Sequence, residues 1–414
     1  MLFRYALLYV VSFIGIFLGV LFLISLIEGR HRIRNPKPTR FPFVSVIIPA
    51  YNEQENIRKT IESARKLDYP NFEILVVDDG STDNTFKIAS QIATKDPRIK
   101  AFSKKNGGKA SALNFAIKRS KGEVIATLDA DSFVMSDALM KMIGYLEDPR
   151  VASVTPSMKV YRPKNVLQKI QQVEYVFGIL YRKIFAFMNM IHVTPGPFSL
   201  YKKSFFERHG GFDEKTTTED MEIAMRMQTH HYRIENSVDA VVYTVSPDTL
   251  KELTKQRTRW YYGLIKNLEV YTHLFDWKRY GYFAILSLPA ALISVVSLLV
   301  LTGYFVYTTT QNFIGAFNDL SSVGFDFITL MRGFKLEYLY YGYIGPMTSF
   351  LLISLAISLL FLYIAKVLSG DKNNLRTGYI YYLWYYSYLF AFWWVVAIFS
   401  RMFGAVKWKE KEFN

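Results

Sequence analysis

Four polar clusters punctuate the chain in the order Asp78-Asp79, Asp129-Ala130-Asp131, Thr218-Glu219-Asp220 and Gln256-Arg257-Thr258-Arg259-Trp260. Carboxylates placed singly and in pairs can accept a ligand's N–H and O–H groups, hold a hard divalent cation, or take a proton from an attacking hydroxyl. Arginine beside an indole offers planar donors for phosphate oxygens and a face for stacking. In this order the clusters supply a nucleotide grip, a metal grip, a general base, and a clamp for diphosphate and acceptor. The order carries more signal than any one cluster.

Each cluster also has a plainer reading. Asp78-Asp79-Gly80-Ser81-Thr82-Asp83 is good turn chemistry, with Asp83 able to cap the next helix. Such a turn can still present Asp79 to a uracil or ribose. Pro49-Ala50-Tyr51-Asn52-Glu53 closes an earlier strand in the same way, so Ala50, Tyr51 and Glu53 join Asp79 as expected nucleotide contacts. In Asn106-Gly107-Gly108-Lys109, backbone amides, a helix start and an ammonium can converge on a diphosphate, or form a flexible surface loop. Asp129 and Asp131 fit Mg²⁺ or Mn²⁺ shared with substrate phosphates, or a strand end where Asp131 or Ser132 caps a helix. Thr218 reads as an N-cap with acids favouring the helix dipole, and the same position would hold Asp220 rigidly as a base.

Positioning these groups requires strands that end at one edge. Val44–Ile48, Ile74–Val77, Val124–Leu128 and Val151–Val154 are short apolar runs alternating with helical segments, one of them starting at Glu53. That pattern predicts a parallel sheet covered on both faces, with polar residues gathered at the carboxyl ends of its strands. Neither Gly-x-Gly-x-x-Gly nor Gly-x-x-x-x-Gly-Lys-Ser/Thr occurs, which argues against a dinucleotide dehydrogenase and an ATPase.

Phe3 to Glu28 is an apolar run long enough to cross a bilayer, and it lacks an Ala-x-Ala cleavage pattern, so it reads as an uncleaved anchor. Three more spans are expected: Gly281 to about Tyr307, Gly345 to about Val367, and Tyr379 to about Ser400. Arg30, Arg32, Arg34, Lys37 and Arg40 follow the first span and place the central region in the cytoplasm. Four crossings would leave Lys407, Lys409 and Lys411 outside, against the same rule. Two resolutions are open: Tyr379 to Ser400, crowded with Tyr and Trp, lies partly in the interface, or a segment around Phe325 to Phe334 is re-entrant. Asn165 to Met190 and Leu250 to His273 read as amphipathic helices in the interface, or as helices packed on the domain core.

The net charge of +15 is explained by the lipid bilayer as partner, since no nucleic-acid recognition motif is present. The absence of cysteine excludes disulfides, thiolate metal sites and cysteine nucleophiles.

From Val44 to Lys266 the chain resembles the membrane-embedded, inverting family 2 glycosyltransferases, similar to the synthases of chitin oligomers, hyaluronan, cellulose and poly-N-acetylglucosamine. The resemblance implies an α/β GT-A (Rossmann-like) cytoplasmic domain over 43–245, after an anchor at 1–28. It also implies interfacial helices over 246–280, a membrane region over 281–403 and a polar tail over 404–414. Asp79 would contact uridine, Lys109 the nucleotide-sugar phosphates, Asp129 the sugar or phosphate side, and Asp131 the Mg²⁺ or Mn²⁺ ion. Asp220, beside Glu219, would be the general base, and Gln256, Arg257, Arg259 and Trp260 would hold diphosphate and acceptor. Gly196 to Lys202 resembles the acceptor segment, with Lys202 and Lys203 where arginine is frequent; no Phe-x-Val-Thr-x-Lys loop follows Trp260.

The expected reaction extends a β-linked polysaccharide or oligosaccharide from a nucleotide-sugar donor such as UDP-N-acetylglucosamine. The alternatives are transfer of one sugar to a lipid-linked acceptor, and a silent nucleotide-sugar-binding or scaffold subunit; intact Asp131, Asp220 and Arg259 weigh against the last. Four spans are few for a private channel, so either a homo-oligomer forms the path or no translocation occurs.

Overall fold

Apolar side chains alternating along Val44–Ala50 feed two cores, as a strand covered on both faces requires. Val44, Val46 and Ile48 pack on one side of the sheet, and Ile47 joins Leu75 and Val77 on the other. The computed structural model describes residues 2–322, 324 and 346–404. Its strands are β1 (Val44–Ala50), β2 (Phe72–Asp78), β3 (Ile99–Ser103), β4 (Val124–Thr127), β5 (Ser132–Val134), β6 (Val151–Val160), β7 (Ser199–Lys202) and β8 (Arg233–Thr244). They form one sheet in the order β3-β2-β1-β4-β7-β6-β8-β5.

Strands β1 to β4 are parallel, as the sequence predicts. Beyond β4 the sheet is mixed: β7 runs antiparallel to both β4 and β6, and β5 antiparallel to β8. This corrects the expectation of a wholly parallel sheet. The inserted β7 has only four residues, too short to announce itself as an apolar run. The result is a GT-A-like mixed sheet with helices on both faces.

The helices are α1 (Leu2–Glu28), α2 (Ile57–Arg65), α3 (Thr85–Ala93), α4 (Lys109–Ile117), α5 (Ala138–Ile143), α6 (Val166–Phe187), α7 (Lys203–His209), α8 (Glu219–Thr229), α9 (Leu250–Val270), α10 (Trp277–Tyr280), α11 (Leu288–Ser322), α12 (Pro346–Ser369), α13 (Arg376–Tyr381) and α14 (Ser387–Phe403). The helix expected from Glu53 starts four residues later. Asn52 adopts φ 54°, and the Glu53 and Gln54 amides donate to Thr85 Oγ1 and Asp83 Oδ2, so a side-chain-bonded turn occupies the intervening residues.

Among the described residues four segments are long and apolar enough to cross a membrane: Leu8–Arg32, Phe283–Ser322, Leu352–Ser369 and Arg376–Phe403. The re-entrant segment expected around Phe325 to Phe334 lies outside the described residues, as does the tail from residue 405. Arg32 joins the first span to the sheet by pairing with Glu235 on β8 at 2.8 Å and donating to the Phe187 carbonyl at 3.3 Å. The sheet domain therefore sits directly under the basic collar, on the cytoplasmic side.

Helices α6 and α9 form where amphipathic segments were expected, but α6 is enclosed by protein. One face packs Val173, Phe177 and Leu180 on Leu26, Phe361 and Tyr379 of the membrane helices. On another, Lys183 is fully buried and donates to the Asn236 carbonyl of β8 at 2.8 Å. Of the two readings of this segment, core packing prevails, because its neighbours cover the helix on both sides.

Candidate active site

The carboxyl ends of β1, β2 and β4 converge as the parallel strands dictate. The Asp79 amide donates to the Ala50 carbonyl at 2.8 Å, joining the ends of β1 and β2. Asn52 accepts from the Thr82 amide at 2.9 Å and its own amide donates to Ser81 Oγ. This lattice stacks the segment from Ala50 to Glu53, Tyr51 included, against the turn after β2.

Asp79 is almost completely buried. Its carboxylate accepts from Lys104 Nζ at 2.5 Å and from the amides of Gly107 at 3.1 Å and Gly108 at 2.7 Å. The two glycine amides, expected to cradle a diphosphate, are thus turned onto Asp79 and build the loop that precedes α4. Gly108 takes φ 89° as it enters that helix, a conformation that only glycine adopts without cost. Lys104 was not anticipated, since nothing in its local pattern separates it from a solvated lysine.

The loop delivers Lys109 into a nest of acids. Its ammonium pairs with Asp129 Oδ1 at 2.6 Å and Glu219 Oε1 at 3.1 Å. Burial lowers the Lys109 pKa, but Asp129, Glu219 and Asp220 outweigh that effect and raise it. For Glu219 burial acts upward while Lys109 and then Arg259 prevail, leaving its carboxyl below the usual range. Asp220 is pushed up to about 7 by burial and then by Glu219, against the pull of Lys109 and Arg259. Four of the expected residues, Lys109, Asp129, Glu219 and Asp220, are therefore brought together, with Arg259 close enough for its charge to be felt.

Thr218, the expected cap of α8, makes no side-chain cap hydrogen bond; its hydroxyl accepts from Asn267 on α9 at 3.0 Å. The acids at this helix start are held instead through the backbone, the Asp220 carbonyl accepting from the Thr194 amide at 3.0 Å and hydroxyl at 2.9 Å. Thr194 leads into Gly196, and a methyl there would come within 2.6 Å of Asp129 Oδ2. Two residues on, the buried Phe198 sits at φ 58°, a strained backbone for a bulky side chain and of the kind that collects at functional sites.

Asp131 is followed by β5, so neither it nor Ser132 caps a helix. Its carboxylate accepts from Ser132 Oγ at 2.9 Å. Burial, then the charges of Asp129 and Glu53, push it up to about 7. Burial and nearby acids, Asp129 among them, likewise raise Glu53. Among the described residues no group of three or more His, Asp or Glu is arranged to hold a metal alone. The hard oxygens of Asp131 and Asp129 on one wall fit a Mg²⁺ or Mn²⁺ ion whose other ligands are phosphate oxygens and water.

The fourth cluster divides. Arg257 is fully buried; it pairs with Glu174 on α6 at 2.6 Å, lies over the Trp260 ring at 4.1 Å and donates to Gln256 Oε1 at 3.2 Å. Its expected role as a diphosphate clamp is corrected: the guanidinium is spent on an internal pair with no face left for a ligand. Glu174 was missed, although a single acid within an otherwise apolar and basic helix is a signal for such a partner. Lys202 and Lys203 also leave the expected acceptor site. Lys202 pairs in register with Val124 at the start of β4, far from Asp129, and the two ammonium groups donate to the Asp148 and Ser120 carbonyls.

Fold and sequence together define the class. Residues 45–210 match the model of Glycosyl transferase family 2, and they lie on the cytoplasmic side of a chain with four segments long and apolar enough to cross a membrane among its described residues. It is 32% identical over 223 residues to the poly-beta-1,6-N-acetyl-D-glucosamine synthase of Staphylococcus epidermidis, covering 53% of this chain and 54% of that protein. It is 33% identical to the synthase of the same name from Staphylococcus aureus (strain N315), with the same coverage. The chain thus spans about half the length of the curated relatives it matches. Among solved structures it is similar in fold to the mannosyltransferase PcManGT from Pyrobaculum calidifontis, in complex with GDP-Man and Mn²⁺. That likeness has a TM-score of 0.55 at 21% identity and covers 90% of this chain and 99% of the other.

Proposed function

We propose that this glycosyltransferase moves a sugar from a UDP-sugar, UDP-N-acetylglucosamine first among them, onto a growing β-linked polysaccharide or oligosaccharide with inversion at the anomeric carbon. The observation that carries the reading is Asp220, a carboxylate with a raised pKa at the start of α8, set beside Lys109, Asp129 and the charge of Arg259. The similarity to poly-beta-1,6-N-acetyl-D-glucosamine synthases supports the donor and the polymeric product.

In the proposed reaction an acceptor hydroxyl attacks the anomeric carbon, its proton passes to Asp220, and the bond to the diphosphate oxygen breaks. Arg259 and Lys109 offset negative charge on the departing UDP. Glu219 keeps Lys109 in place, and Asp79 holds the loop from Lys104 to Gly108 against the nucleotide end of the site. Asp131, with Asp129, would hold a Mg²⁺ or Mn²⁺ ion, which supplies Lewis-acid neutralisation of the diphosphate when bound. Gln256 and Trp260, which hold Arg257 through a hydrogen bond at 3.2 Å and an indole face, would contact the acceptor.

The test is incubation of the full chain in lipid with Mg²⁺ or Mn²⁺ and radiolabelled nucleotide sugars, with products separated into water-soluble and lipid-extractable fractions. A water-soluble ladder from UDP-N-acetylglucosamine is the expected product. A single-sugar lipid product would refute the polymer, and no turnover with any donor would refute the enzyme.

A further inference from the structure

Helix α9 turns two faces to two different neighbours. On one face Arg259, Gly263 and Asn267 recur every fourth residue against the start of α8. Asn267 donates to Thr218 Oγ1 at 3.0 Å, and a methyl on Gly263 would collide with the Thr218 side chain, so the two backbones come as close as glycine permits. One turn earlier, the charge of Arg259 is felt by Glu219 and Asp220.

The other face carries Thr254, Arg257 and Tyr261. Trp393 of α14 donates to Thr254 Oγ1 at 3.0 Å, and Trp394 stacks on Tyr261 with ring centroids 4.6 Å apart. Helix α14 leans in turn on α11, where Tyr388 meets Phe305 at 5.5 Å between centroids. A single carboxylate oxygen closes this side. Glu174 Oε2 of α6 accepts from Arg257 at 2.6 Å and from the Tyr386 hydroxyl at 2.6 Å. Tyr386 ends the π-helical stretch Tyr382–Tyr386 that leads into α14, an irregularity often found at functional sites, and is buried with Ile170, Leu253 and Trp393. Three elements, α6, α9 and the entry to α14, therefore meet at Glu174.

Rotation of α9 about its own axis is the motion these contacts resist. At about 100° per residue, Arg257 and Arg259 stand about 160° apart, so pinning the first to α6 decides where the second points. We infer that Glu174 is a positioning residue: by pairing with Arg257 while accepting from Tyr386, it sets the rotation of α9 that presents Arg259 to the acidic nest and to the diphosphate of a bound nucleotide. The inference rests on the role proposed above for Arg259. Glu174 itself touches no substrate, and the last apolar helix bears on the site through Tyr386 alone.

The test is UDP affinity with Mg²⁺, measured by calorimetry on the full chain in lipid, for wild type, Glu174→Gln, Arg259→Met and the double variant. Glu174→Gln and Arg259→Met should each weaken UDP on the order of tenfold. The double variant should bind no more weakly than Arg259→Met, because a misaimed guanidinium and an absent one are the same loss. A merely structural role for Glu174 would lower the number of binding sites and leave Kd unchanged. Tyr386→Phe guards against a variant that fails to fold, since its ring still lies against Tyr382 and Trp393, and it should weaken UDP in the same direction by a smaller factor. A wild-type Kd in both Glu174→Gln and Tyr386→Phe, losses that add in the double variant, or a wild type that binds no UDP would overturn the inference. Wild type that binds UDP but transfers no sugar would instead refute the proposed reaction and leave the positioning of Arg259 standing.

Discussion

Lys109 is the cation at the centre of the acidic nest, and Lys109→Met removes it with little change of shape. Two ion pairs are lost, to Asp129 and Glu219, whose side chains are 25% and 12% exposed. Removing one partner of a fully buried pair costs about 3–5 kcal/mol, and exposed pairs are worth at most ~1 kcal/mol. The burial here lies between those limits and nearer the first, which sets the expected loss at about 2–4 kcal/mol. At roughly 2–4 °C per kcal/mol for a domain of this size, the melting temperature should fall by about 4–16 °C. The loss depends on pH in a definite direction. Glu219 is held below its usual range by Lys109 and Arg259 against burial, so its stabilising share is present above the unfolded carboxylate pKa and fades as pH falls through the folded value. Asp220 and Asp131, raised by burial, take up protons near pH 7 and cease to need the ammonium. Thermal unfolding of both proteins in lipid with a chelator present should therefore show a deficit that is large at pH 7.5 and smaller at pH 5, because Asp220 and Asp131 are by then protonated, while the Glu219 share persists at pH 5 and fades only at lower pH. An unchanged melting temperature, or the same deficit at both pH values, would refute this account of the nest.

The transfer rate should rise with pH through about 7, with a slope of one proton, because Asp220 must be ionised to act and burial, then Glu219, hold it up; a pH–rate profile flat from 6 to 8 contradicts that assignment. Chelation should stop transfer and Mg²⁺ or Mn²⁺ restore it, whereas Asp131→Asn should stay inactive at any metal concentration; full metal rescue of that variant removes Asp131 from the ion. Gly196→Ala places a methyl between Lys109 Nζ and Asp129 Oδ2 and should lower kcat on the order of 10²-fold through a displacement of about 1 Å; normal turnover would show that the segment yields.

How much of this was legible in the sequence follows from which forces are local. Strands β1, β2, β4 and β6 were readable because burial on both faces demands continuous apolar runs. Strand β8 was not: it carries Glu235, Asn236, Ser237 and Asp239, polar groups that meet Arg32, Thr155 and Asn35 from distant parts of the chain. The order of the polar clusters predicted their assembly at one edge, because strand ends fix where they point. The division of the fourth cluster needed helix geometry, which was available: at about 100° per residue, Arg257 and Arg259 point about 160° apart and cannot both face one diphosphate. Which of them faces the acids depended on Glu174, a choice made by tertiary packing across α6 and α9. The turning of the Gly107 and Gly108 amides onto Asp79 was likewise invisible, since the same residues suit a phosphate cradle equally well.

The most direct test of the central claim compares wild type and Asp220→Asn, following glycan formation from UDP-N-acetylglucosamine and, in parallel, UDP binding by calorimetry. The account predicts that the variant binds UDP as the wild type does and forms no glycan. Glycan formation at the wild-type rate by Asp220→Asn would contradict it.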